Sequence, residues 1–127
     1  MKINKALFFY LALLAFHVAH VFEEAWGGFI IERALGLGWF LFVNWILFLI
    51  PLGILYLILT GRRQGYYLGI AYAVLMLLNG LGHNLMVLVT GGYFNGFAGS
   101  MSGLGLIIVS PLMIYYLRQS IPHGNKT

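Results

Sequence analysis

Apolar residues run through this chain in long unbroken blocks, unlike the alternation of a half-buried strand or the single stripe of a surface helix. Asp, Glu, Lys and Arg are absent from Ala34 to Gly61 and again from Gln64 to Leu117. A membrane-spanning helix needs about 20 apolar residues, so the first block holds one span and the second holds two. An earlier block, Ala6 to Phe22, is interrupted only by His17 and His20. The pattern predicts four spans, at about residues 5–26, 39–60, 66–90 and 97–117. A barrel is excluded, because its strands would alternate and so few of them could not close to satisfy their backbone in lipid. The predicted fold is all-α, an integral membrane four-helix bundle forming a single domain over residues 1–127.

Charge orients this bundle. Lys2, Lys5, Arg62, Arg63, Arg118 and Lys126 fall on one side of four alternating helices, and Arg33 falls on the other. The positive-inside rule then places both termini and the loop between the second and third spans in the cytoplasm, with the segments around 27–38 and 91–96 facing outward. Lys2 and Lys5 before an apolar run also fit the start of a cleavable signal segment. The two histidines inside the run favour a first span instead. With 61% hydrophobic and only 8% charged residues, the solvent of this chain is lipid. The net charge of +4 reports orientation and lipid contact, since dispersed basic pairs build no groove for nucleic acid. The absence of Cys excludes disulfides, thiolate metal ligands and a Cys nucleophile.

The few polar residues gather at one depth. At about 1.5 Å of rise per residue, His20 lies roughly 21 Å and Glu24 roughly 27 Å from the cytoplasmic edge of helix 1. The same arithmetic puts Asn79 near 20 Å and His83 near 25 Å on the third span, and Asn44 near 22 Å on the second. At about 100° per residue, His17, His20 and Glu24 share one helical face, with Glu23 flanking His20 on its other side. Glu24 is the better placed ligand, leaving Glu23 to complete the site or orient a ligand. Asn79 and His83 share a face of the third span, and Asn84 is turned away from it. Asn44 and Asn84 also suit plain interhelical packing, while His123 sits in a polar tail with no evident role.

Ionisable side chains deep in a membrane cost about 2.5 to 3.5 kcal/mol each, so they face the bundle interior, pair, and mark function. A simpler alternative is that the two glutamates end helix 1 at the interface, with Glu24 and His20 as an i,i+4 pair. His followed by Glu at i+3 and i+4 mirrors the Glu-x-x-His arrangement that binds metals in helix bundles. His20, Glu23, Glu24 and His83, with His17 as a further candidate, supply ligands for one divalent ion, zinc or iron. His20, Glu23, Glu24 and His83 are also the candidate catalytic groups, supported by Asn44, Asn79 and Tyr93. Without metal, a His and a carboxylate in a dry pocket can still exchange protons with a lipid-like substrate. A third reading is a non-catalytic membrane subunit or lipid-binding module.

The stretch His20-Val21-Phe22-Glu23-Glu24 resembles the HXXEE-motif proteins, small prokaryotic membrane proteins named for that pattern. Their second His is matched by His83 within Asn79-Gly80-Leu81-Gly82-His83-Asn84. A later Tyr-x-Pro-Gly motif is matched by Tyr93-Phe94-Asn95-Gly96, with Asn95 in the place of Pro. The resemblance covers most of the chain and implies an enzymatic role for the His and Glu residues, without naming a reaction. A more distant likeness joins His20, Glu24 and Trp26 to the His-x-x-x-Glu helix of emopamil-binding-type sterol isomerases. Ala25 departs there from the Gly that usually follows the Glu.

Two features bear on access and packing. The stretch 25–38, with glycines flanking an apolar segment that carries Glu32 and Arg33, reads as an interfacial or re-entrant lid. Gly99-Ser100-Met101-Ser102-Gly103 is a small-xxx-small face for close packing within the bundle or in a homo-oligomer, and Pro51 and Pro111 are expected to kink their helices. The sequence thus points to a membrane enzyme with an outer-half site acting on a lipidic or small amphipathic substrate.

Overall fold

The computed structural model describes residues 4–122. Lys2, His123 and Lys126 lie outside these residues. Five helices follow one another: α1 (Lys5–Gly27), α2 (Ile30–Leu35), α3 (Leu37–Leu59), α4 (Arg63–Thr90) and α5 (Ser100–Gln119). Among the described residues there is no strand. All four helices other than α2 are long and apolar enough to cross a membrane. The large apolar side chains left exposed along them, such as Leu49, Leu85, Leu88 and Ile108, have no place in water and suit a lipid surround.

Helix ends follow local chemistry. Asn4 starts α1 by accepting the Ala6 N–H at 3.0 Å on its side chain. Gly28 ends it in the left-handed conformation, its N–H returned to the Glu24 carbonyl. Helices α3 and α5 continue through Pro51 and Pro111 without interruption. The Pro51 carbonyl accepts the Tyr10 hydroxyl at 2.8 Å, tying α1 to α3.

Helix α5 packs against α4 and α1, while α3 lies against α4 and touches α1 more lightly. Closeness between α4 and α5 comes from small residues: a Cβ on Gly80 would stand 2.5 Å from the Gly103 carbonyl oxygen. Asn84 bridges the same pair, donating to the carbonyls of Gly80 at 2.9 Å and Ser100 at 3.0 Å. The apolar core is concentrated toward the end of the bundle where α1 begins and α5 finishes. Tyr10, Leu13, Leu106, Met113 and Leu117 are fully buried there, with Tyr66, Ile54 and Ile58 around them. Lipid tails are as apolar as these side chains, so their burial holds the helices together through close packing rather than through removal from water. The opposite end carries the polar residues.

The stretch read as a lid contains α2, which buries none of its own residues. It is held from the α4–α5 connection, where Ile30 N–H donates to Gly96 O at 2.9 Å and the Arg33 guanidinium to Phe94 O at 3.1 Å. At the Tyr93-Phe94-Asn95-Gly96 turn, the Asn95 N–H donates to Gly92 O at 3.3 Å and its side chain to Thr90 O at 3.0 Å. A proline at 95 could supply neither donor.

Candidate functional site

Helix α1 divides its two adjacent acids between two neighbours. Glu24 shares its face with His20 one turn earlier and points at His83 on α4; Glu23, about 100° round, points at the start of α5. His20, Glu24 and His83 are all buried, and one ligand atom from each lies within 4.8 Å of the others. Glu24 Oε1 stands 3.1 Å from His83 Nε2 and 3.5 Å from His20 Nε2. Ligand atoms bound tetrahedrally to zinc at about 2.0 to 2.1 Å would stand roughly 3.3 Å apart, between those two distances.

The partners of the other ring nitrogens set the tautomers. His83 Nδ1 faces the Phe97 carbonyl at 3.3 Å, and a carbonyl only accepts, so this nitrogen carries the proton. His20 Nδ1 lies 2.9 Å from Ser102 Oγ. The Ser102 hydroxyl is itself directed to Glu23 Oε2, so its oxygen receives the proton of His20 Nδ1. In their neutral forms both rings then turn a lone pair on Nε2 toward the Glu24 carboxylate. His20 Nε2 is buried with no hydrogen-bond partner, because Glu24 at 3.5 Å is too distant to serve as one. In that state three lone-pair-bearing atoms converge with no donor between them. Such a set suits a cation, and Nδ1–H bound to an oxygen is how metal-ligating histidines are oriented.

Glu23 has a different engagement. It accepts the Met101 N–H at 3.0 Å and the Ser102 N–H at 2.7 Å, along with the hydroxyls of Ser102 and Tyr93. It thus serves as the capping carboxylate of α5, whose own cap residue, Gly99, has no side chain. Its oxygens are committed to these donors, so its link to the cluster runs through Ser102 to His20. Tyr93 stands outside the spans, and its phenol is pushed up to about 12, first by burial and then by the adjacent Glu23 carboxylate.

His17 lies one turn deeper, its Nδ1 2.9 Å from the Tyr72 hydroxyl and its ring edge-on to Phe48. It is outside the converging set but lines the cavity that His20 and Glu24 border. That cavity, about 520 Å³, lies between α1, α3 and α4 and also meets α2; Asn44 and Asn79 line it too. Asn44 donates to its own helix at Phe40 O, 2.9 Å away.

Three contributors carry no site signal in the sequence. Ser102 and Gly99 belong in the sequence to a face of small packing residues. Gly99, at φ 122°, passes so close to both rings that a Cβ would lie 2.7 Å from His20 Cε1 and 2.8 Å from His83 Nδ1. Tyr72, a core tyrosine by its surroundings, carried no polar signal at all. Comparison with known proteins finds no matching family model, no matching curated protein and no matching solved structure.

Proposed function

We propose that this chain is a metal-dependent membrane enzyme acting on a lipidic or small amphipathic substrate. Zinc or iron would be held by His20 Nε2, Glu24 and His83 Nε2. The observation that carries this reading is the buried, partnerless His20 Nε2 aimed at a carboxylate that already faces His83 Nε2. A single shared proton would satisfy the pair of Glu24 and His83 but leave His20 unpaired. A divalent ion serves all three. Two imidazoles and one carboxylate leave coordination positions open, and an ion there would supply Lewis-acid polarisation or an activated water.

The chain's own residues then have separate tasks. Glu24 and the two Nε2 atoms bind, Ser102 and Phe97 O fix the ring tautomers, and Glu23 holds Ser102 in place. The cavity admits the substrate, and α2 shields it. The resemblance of His20 to Glu24 and of His83 to the HXXEE-motif proteins agrees with this assignment. The charge distribution supports placing the chain in a prokaryotic cytoplasmic membrane, with both termini cytoplasmic and the site toward the extracytoplasmic side.

One distance favours a second reading. At 3.1 Å, Glu24 and His83 are close enough to share a proton directly, which suits a metal-free acid/base enzyme such as a lipid isomerase. Thermal unfolding of chelator-stripped protein separates the two. An ion at about 100 times its Kd adds about 2.7 kcal/mol to the folded state. Zinc or ferrous iron should raise the unfolding temperature of the wild type and leave that of His20→Ala unchanged. Equal shifts in both would overturn the metal reading.

A further inference from the structure

The cavity falls in the range of about 300 to 1,000 Å³ typical of sites that enclose a whole small ligand. Its wall holds one carboxylate, Glu24, and no Lys or Arg. The described basic residues Lys5, Arg33, Arg62, Arg63 and Arg118 all stand in the first or last turns of helices or in the connections. The wall therefore offers a phosphate or carboxylate head no cationic side chain, though such groups are recognised through Arg and Lys, and an ion at the cluster would carry a charge that Glu24 already partly neutralises. A cationic head would compete for Glu24, whose Oε1 already faces His83 at 3.1 Å. An uncharged oxygen function meets neither obstacle. Asn44, Asn79 and the pair of His17 and Tyr72 offer it neutral donors and acceptors at the inner wall.

The rim of the cavity is apolar. Leu47 and Ile50 of α3, Leu75 of α4 and Ile31 of α2 all line it, and each is at least half exposed. Helices α3 and α4 are pinned together at their connected ends, where a Cβ on Gly65 would lie 2.7 Å from Ile58 N. The exposed rim residues Leu47, Ile50 and Leu75 lie further along the same pair, in helices long and apolar enough to cross a membrane.

Resting on the reading of the cluster as a reactive centre, we propose that the site takes an uncharged lipid bearing one oxygen function, an alcohol, aldehyde or ketone. The lipid enters sideways from the bilayer between α3 and α4. Its oxygen reaches the layer of His20 and Glu24 while its hydrocarbon lies along Val43, Leu47 and Leu75.

The test is photolabelling of the full chain in lipid nanodiscs with a long-chain fatty alcohol that carries a diazirine, with metal content measured on the same samples. Labels should fall on residues 43–51 and 72–79. Unlabelled fatty alcohol should displace them, and the phosphate monoester of the same chain should not. Leu75→Trp, and independently Ile50→Trp, should lower capture about tenfold with the melting temperature and metal content kept. Labelling confined to the outer faces of the helices, or equal displacement by the phosphate ester, overturns the proposal. Specific cavity labelling in protein that binds no metal leaves the lipid assignment standing and removes the metal reading instead.

Discussion

Glu23 Oε2 accepts the backbone N–H of Ser102 at 2.7 Å, so an acid at the end of α1 caps the first turn of α5. The same Ser102 presents its hydroxyl oxygen to His20 Nδ1 at 2.9 Å. One serine thereby couples the packing of two helices to the orientation of a candidate ligand.

Ser102→Ala should leave the backbone cap in place and remove the hydroxyl. Partners of metal-ligating histidines are worth about 10- to 100-fold in affinity, and a lost hydrogen bond costs about 1 kcal/mol. Chelator competition should show weaker metal binding in that range with only a small drop in melting temperature. Unchanged affinity would mean that His20 needs no help from Ser102.

Two glycines provide a matched pair. Gly99→Ala forces a Cβ against both imidazoles at a φ of 122°, and should lower both metal binding and stability. Gly82→Ala, inside α4 beside His83, meets nothing and should stabilise the helix by about 0.5 to 1 kcal/mol. Circular dichroism melts of both variants, with metal analysis, check the contrast.

The spans were legible because lipid demands long apolar runs, and their boundaries agree with the helices to within a few residues. Helix α5 begins at Ser100 rather than near 97, since Gly96 and Gly99 hold positive φ angles and Glu23 supplies the cap from outside. The polar layer was legible too, because rise and angle per residue are fixed by the α-helix. Geometry on one helix separated Glu24 from Glu23, yet it could not say what each would meet. Ser102, Gly99 and Tyr72 depend on how helices rotate against each other, and no local pattern encodes that. His17 shares the face of His20, but Tyr72 takes its Nδ1 one turn below the cluster.

Tyr93 gives a pH dependence with a definite sign. Its folded pKa is raised from 10.0 to about 12, so its contribution is complete below pH 10 and is lost as pH rises through about 12. Tyr93→Phe should be less stable than wild type by about 1 kcal/mol at neutral pH. Denaturant melts should show that difference constant from neutrality to about pH 9.5 and shrinking above pH 10. A difference that grows with alkalinity would contradict the assignment of the phenol as a donor to Glu23.

The absence of native Cys permits a clean topology map. A Cys at position 62 should react with impermeant maleimide only after the cytoplasmic side is opened, and a Cys at position 33 should react in intact cells. The reverse pattern would invert the bundle and place the site toward the cytoplasm.

The central claim is that His20, Glu24 and His83 form a metal site, and elemental analysis of purified protein after metal-replete, chelator-free expression tests it most directly. The account predicts stoichiometric zinc or iron in the wild type and in Gly82→Ala, with loss in His20→Ala and Glu24→Gln variants that remain folded. A folded wild type without stoichiometric metal, or Glu24→Gln retaining the full amount, would contradict it.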